Sequence, residues 1–156
     1  MMKPLYTLCF ALAFGPALAA PLEITVDGAV KTSLHLSETE LRALPPSEVT
    51  LQLPLGSHMQ AGPYKGVLVM TLLAKAVTKD EAVKNSFIRH TVMVYGRDGY
   101  AAAFAEGEFN PAYEGKAVLL AYEVNGEPFS DGLRLVSPGD KEGGRNVHDV
   151  VRIEVK

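Results

Sequence analysis

The residues best equipped for chemistry gather near the end of the chain, in the loop from Asp140 to His148. Lys141, Arg145 and His148 supply hydrogen-bond donors, while Asp140 supplies a carboxylate and Asn146 an amide. Pro138, Gly139, Gly143 and Gly144 let the backbone turn and come close to a ligand. Such a set suits a planar polar ring or an anion. The same residues suit a long hairpin loop with solvated charges, because Gly, Asp and Asn are what turns use. Residue types alone leave both readings open.

Two further stretches carry polar side chains near turns. Pro54 to Tyr64 is rich in Gly and Pro and holds Ser57, His58, Met59 and Gln60, which makes it a second candidate binding loop. Asp98 and Tyr100 sit at a hairpin tip signalled by Arg97 and Gly99, where they either line a site or shape the turn. His90 falls within an apolar strand pattern and reads as a structural histidine. The histidines at 35, 58, 90 and 148 lack zinc-ligand spacing, no glycine-rich phosphate loop is present, and no serine sits in a nucleophile elbow. Glu106 and Glu108 lie on one short turn and face different ways, which suits solvation better than paired acid and base work.

Those loops need strands to hold them. Leu133 and Leu135 before the polar loop, and Val151, Ile153 and Val155 after it, alternate with the period of a half-buried strand. Leu22 to Val26 reads as a strand, Asp27 and Gly28 as a hairpin turn, and Val30 to Leu36 as its return. Ser37 with Glu40 forms a capping box for a helix to about Leu44, ended by Pro45 and Pro46. Val49 to Leu53 is a strand and Val67 to Val77 an amphipathic helix. Asp80 is expected to cap a short helix to Lys84, before a long strand from Phe87 to Tyr95. A strand at 100–104, a helical turn at 106–109 and a strand at 117–124 closed by Asn125 and Gly126 complete the series. The pattern predicts an α+β single domain with a mainly antiparallel or mixed sheet and short helices.

The first 19 residues have the layout of a cleaved signal peptide: a basic start at Lys3, an apolar run, and small residues at Ala17 and Ala19. Residues 20–156 then form one domain, periplasmic by expectation and not membrane-embedded. The net charge of −3, with cations scattered along the chain, argues against nucleic acid. The single cysteine, Cys9, lies in the signal segment, so the exported domain has no thiol.

Four stretches together resemble the oxidoreductase molybdopterin-binding domain, the sulfite-oxidase fold, over roughly residues 51–155. Tyr64 to Leu73 resembles the segment leading into that family's first core helix, and Arg97 to Phe104 the hairpin of its small exported members. Val118 to Pro128 is similar to the family strand that ends in a turn and a proline. Leu133 to Val155 resembles the final loop and strand beside the pterin.

The resemblance implies that the loop from Ser137 to His148 faces a pterin. On that reading Arg145 and Lys141 donate to ring carbonyl or tail oxygens, and Asp140 accepts from ring and amino N–H groups. Gly143 and Gly144 allow close backbone contact, and Ser137, Asn146, His148, Asp98 and His58 complete the set. Tyr100 or Tyr64 stacks on the ring. Catalytic members hold molybdenum through a cysteine thiolate after the strand that here ends near Leu53, where this chain has Pro54, Leu55, Gly56, Ser57 and His58 instead. Neither a hydroxyl nor an imidazole replaces a soft anionic thiolate. The expectation is therefore an exported protein that binds a pterin, molybdopterin among the candidates, with no molybdenum and no catalytic residues. Its partner would be an inner-membrane signalling protein, such as a cyclic-di-GMP enzyme. The alternatives are a molybdopterin-dependent oxidoreductase and a ligand-free protein-interaction module.

Overall fold

The computed structural model describes residues 22–55 and 58–156, so the segment at 1–19 expected to be a signal peptide, Cys9, Gly56 and Ser57 lie outside the described residues. Alternation builds the first sheet. Strands β1 (Glu23–Gly28), β2 (Leu34–Ser37), β5 (Thr91–Gly96), β6 (Ala101–Ala105) and β10 (Val150–Val155) run in the order β2-β1-β10-β5-β6. The β1 and β10 pair is parallel, with Val26 opposite Ile153, and the other pairs are antiparallel. Ile24, Val26, Val92, Val94, Phe104, Ile153 and Val155 are all buried in the main core.

The second sheet is built from β3 (Ser47–Leu55), β4 (His58–Leu68), β7 (Leu119–Val124), β8 (Glu127–Pro128) and β9 (Arg134–Val136). It runs β3-β4-β7, with β8 and β9 both pairing with β7. Its alternating faces feed two cores: Leu120, Tyr122 and Leu135 join the main one, while Leu119, Ala121 and Val136 join a smaller one with Leu53 and Tyr64. Helix α2 (Val69–Ala76) adds Leu72, Leu73 and Ala76 to the main core. A fully buried Leu such as Leu72 contributes about 2 kcal/mol through removal from water. Helix α1 (Glu38–Arg42) begins at Ser37 with both halves of the expected capping box in place. Among the described residues no helix is long and apolar enough to cross a membrane.

Several local expectations are corrected by tertiary pairing. Asp27 and Gly28 do not turn the chain, because β1 stays paired with β10 to its end, Gly28 opposite Val155. Gly28 has φ +92°, and a side-chain carbon there would fall 2.2 Å from the Val155 carbonyl oxygen. The reversal occurs in the segment 29–33. Within the stretch expected to be a loop, Pro54 and Leu55 end β3 and His58 to Tyr64 begin β4, the two strands pairing in register from Ser47 and Gly66 to Leu55 and His58. No helix follows Asp80. Its carboxylate instead accepts from Arg89 at 3.1 Å, and Ser86–Arg89 forms a 3₁₀ turn ahead of the shorter β5.

The strands that flank the polar loop belong to different sheets, β9 to the second and β10 to the first. The loop therefore crosses between sheets and does not join two strands of one sheet. The loop's base is pinned by Leu135 N–H to the Val147 carbonyl at 2.8 Å and by Val150 N–H to the Leu133 carbonyl at 2.9 Å.

Candidate functional site

Residues 137–148 bridge the two sheets, and side chains from other elements fasten them. Arg145 Nε donates to Asp140 Oδ2 at 2.8 Å, and its Nη2 donates to Oδ1 of the same carboxylate. Arg145 Nη1 donates to Glu108 Oε2 at 3.1 Å, and Lys116 Nζ donates to that oxygen at 2.8 Å. The guanidinium carbon lies 4.4 Å from the centre of the Phe104 ring, a cation–π contact with β6. Tyr100 completes the fastening by donating from its hydroxyl to the Gly144 carbonyl at 2.5 Å.

Electrostatics follow from this geometry. Burial alone would raise Asp140, but the Arg145 hydrogen bonds and charge outweigh it and hold the carboxyl below its ordinary value. The nearby Ser137 hydroxyl favours the same charge as a dipole, without hydrogen-bond geometry of its own. Glu108 is likewise lowered, burial being overcome by Lys116, the Ala105 N–H and Arg145. Two cations face two carboxylates here, so Arg145 and Asp140 are engaged with each other.

A second cluster surrounds Arg134, which β9 places on the same face as Val136. Its side chain is 8% exposed. Nη2 donates to Asp131 Oδ2 at 2.9 Å, Nη1 donates to Gln60 Oε1 at 3.3 Å, and the guanidinium carbon lies 4.6 Å from the Phe129 ring centre. His148 Nδ1 lies 3.1 Å from Asp131 Oδ2 and 3.3 Å from Arg134 Nη2. Protonated, that nitrogen donates to Asp131; unprotonated, it accepts from Arg134. Burial would raise Asp131, but the Arg134 charge and hydrogen bonds and the His148 contact hold it low. Two adjoining cavities of about 260 and 370 Å³ open here, sharing Ser130 and Asp131.

Buried polar atoms without partners occur on Arg134 and in the bridging loop, whose Ser137 and Asn146 line neither of these two cavities. Arg134 Nε, Ser137 Oγ, and both Nδ2 and Oδ1 of Asn146 are sealed from solvent and make no hydrogen bond among the described residues. Each such orphan is costly unless something pairs with it. Gly143 lies against the end of β3, where a side-chain carbon would stand 3.0 Å from the Pro54 carbonyl oxygen. The loop and the end of β3 are therefore in contact.

The expected site residues divide clearly. Asp140, Gly143, Gly144, Arg145 and Tyr100 meet in the fastening cluster, and His148 joins the Arg134 cluster. Ser137 and Asn146 are buried, and Lys141 is exposed. Asp98 accepts the Tyr100 N–H at 2.9 Å, a turn-shaping bond. His58 is exposed at the start of β4. Tyr64 is corrected: its side chain is fully buried, its hydroxyl donates to the Gln60 carbonyl at 3.0 Å, and its ring stacks on Phe129. It offers no ring face to a ligand. Sequence reasoning missed Arg134, Asp131 and Lys116, named Gln60 only as part of a candidate binding loop, and read Glu108 as a solvated acid, whereas it pairs with Arg145 and Lys116. One signal was available for Arg134, a lone charge between Leu133 and Leu135 in a strand otherwise apolar.

A family model described as the oxidoreductase molybdopterin binding domain matches residues 16–156. The chain belongs to this family. The fold agrees with that of a solved member of the same structural class, the sulfane dehydrogenase SoxCD from Paracoccus pantotrophus, at a TM-score of 0.69 and 21% identity. The match covers 86% of this chain and 38% of the SoxCD chain. No curated protein matches in sequence.

The cofactor named in the family's description makes two demands, polar partners for an organic ring and ligands for a metal. The orphaned Asn146 amide, Ser137 hydroxyl and Arg134 Nε offer partners to an organic ring rich in donors and acceptors. Cys9 is the only cysteine in the sequence and lies outside the described residues, so the described residues include no thiolate that could ligate molybdenum. Among the described residues, no group of three or more His, Cys, Asp or Glu side chains is placed to hold a metal.

Proposed function

We propose that this molybdopterin-binding-family domain binds a pterin and holds no thiolate-bound molybdenum. The observation that carries the reading is the set of buried, unpartnered polar groups on Arg134, Ser137 and Asn146, within a fold whose family takes such a ligand. The loop fastened by Arg145 acts as the rigid wall of the site. Arg134, Asp131 and His148 supply polar contacts along the adjoining cleft, and Tyr100, half exposed, is the available stacking ring.

On this proposal the protein is exported by the segment at 1–19. Its role is non-catalytic: occupancy of the pocket is read by a membrane-bound signalling partner, such as a cyclic-di-GMP enzyme. Support for that step is the resemblance to small exported members together with the missing thiolate.

Native mass spectrometry of protein taken from the exported compartment of its own host, with metal analysis of the same sample, tests the reading. An organic adduct of pterin mass without molybdenum is the expected result. Stoichiometric molybdenum would overturn the non-redox assignment and require a ligand other than thiolate. A bare chain that also fails to take up added pterins would remove the pterin.

A further inference from the structure

A separate cavity lies where α2 ends, between it and two 3₁₀ turns at Ser86–Arg89 and Glu106–Phe109. It measures about 160 Å³ and adjoins a second of about 170 Å³, the two sharing Met70, Thr78, Glu81 and Glu106. Glu106 is 6% exposed. Its Oε2 is bonded to His90 Nδ1 at 2.6 Å, whereas Oε1 has no hydrogen-bond partner among the described residues. His90 Nε2 lies 3.0 Å from Asp80 Oδ1, outside hydrogen-bond geometry, so the imidazole stands between Glu106 and Asp80. Ser86 and Thr78 are 4% and 9% exposed, line the cavity, and likewise make no side-chain hydrogen bond among the described residues.

A half-paired carboxylate and two hydroxyls, all on residues no more than 9% exposed, thus line one small space. From these positions we infer a binding site for an alkylammonium group. Three acceptor oxygens match the three donors of –NH₃⁺, one of them from the Glu106 carboxyl group. The Met70 thioether and the Phe87 ring line the remainder of the cavity with soft, polarizable surface suited to a short alkyl stem. An anion is disfavoured by Glu106, and a neutral alcohol has one donor for three acceptors. The site is distinct from the Arg145 cluster, although Glu108 of that cluster lies on the same 3₁₀ turn.

The test is a titration of the isotopically labelled protein with butylammonium chloride, followed by the amide resonances of Thr78, Ser86 and Glu106. Saturable shifts are expected with butylammonium and not with butyrate, butanol or tetramethylammonium, which has no donor. Ser86→Ala and Thr78→Val should each raise Kd about tenfold, the loss of one hydrogen bond to a charged group. Glu106→Gln should abolish binding; Ser86→Ala leaves the His90 bond intact and keeps the test decisive should that variant unfold. Nα-acetyl-lysine methylamide separates the sources of the same chemistry: equal affinity points to a lysine side chain, and binding by butylammonium alone to a free amine. Absence of saturable shifts, meaning that water alone fills the cavity, overturns the inference. So does equal binding of butanol, or affinity unchanged in both hydroxyl variants.

Discussion

Arg145 and Glu108 stand 37 residues apart in sequence and meet at 3.1 Å, and their ion pair fixes the bridging loop to the 3₁₀ turn after β6. Asp140 occupies the other face of the same guanidinium fork. Arg145→Ala leaves two partly buried carboxylates short of a partner, so it should destabilise the fold by about 2 kcal/mol in denaturant titration. Arg145→Lys keeps the charge and loses the fork, and should fall between the two. Wild-type stability in Arg145→Ala would show that the pair contributes nothing net.

The same cluster sets an acid limit. Glu108 and Asp140 have folded-state values depressed below their ordinary 4.5 and 3.8. A depressed carboxylate contributes stability that is fully present above its unfolded value and is lost as pH falls through the folded one. Stability should therefore decline from about pH 4.5 downward, and Glu108→Gln should flatten that decline while lowering stability at neutral pH. Thermal melts from pH 7 to 2.5 read both effects. An equally steep acid limb in Glu108→Gln would assign the loss to other groups.

Tyr64 and Tyr100 should separate stability from binding. Tyr64→Phe removes the hydroxyl bond to the Gln60 carbonyl and should cost about 1 kcal/mol of stability, leaving pterin affinity unchanged. Tyr100→Ala removes an exposed ring and the bond to Gly144, and should weaken pterin binding by about 1 kcal/mol or more. The reverse pattern in a fluorescence titration would place the ligand against the Tyr64 and Phe129 stack instead.

Adjacent glycines give an internal control for the loop's contact with β3. A side-chain carbon at Gly143 would crowd the Pro54 carbonyl at 3.0 Å, whereas at Gly144 it would meet nothing within 4 Å. Gly143→Ala should cost about 1 kcal/mol and loosen ligand retention, and Gly144→Ala should be close to neutral. Equal stability of the two variants would mean that the loop does not rest on the end of β3.

Patterns governed by neighbours in sequence were legible without the structure. The capping box of Ser37 and Glu40, the amphipathic face of α2, the Asn125 and Gly126 turn and the alternation of β1 and β10 depend on spacings of two to four residues, which sequence displays directly. The single cysteine, Cys9, was equally plain, because its number and position are a matter of composition. Tertiary structure decided what depends on distant partners. Asp27 and Gly28 carry a strong local turn signal, yet pairing with β10 holds them in a strand. Pro54 to Tyr64 looks like a loop, yet pairing between β3 and β4 draws Pro54 and Leu55 into one strand and His58 to Tyr64 into the other. Arg145 reads as a free donor until Glu108 and Asp140 are brought to it, and Arg134 reads as a strand residue until Asp131, Gln60 and His148 surround it. Charge pairing and burial are set by which elements pack together, and residues far apart in the chain carry no spacing by which to announce it.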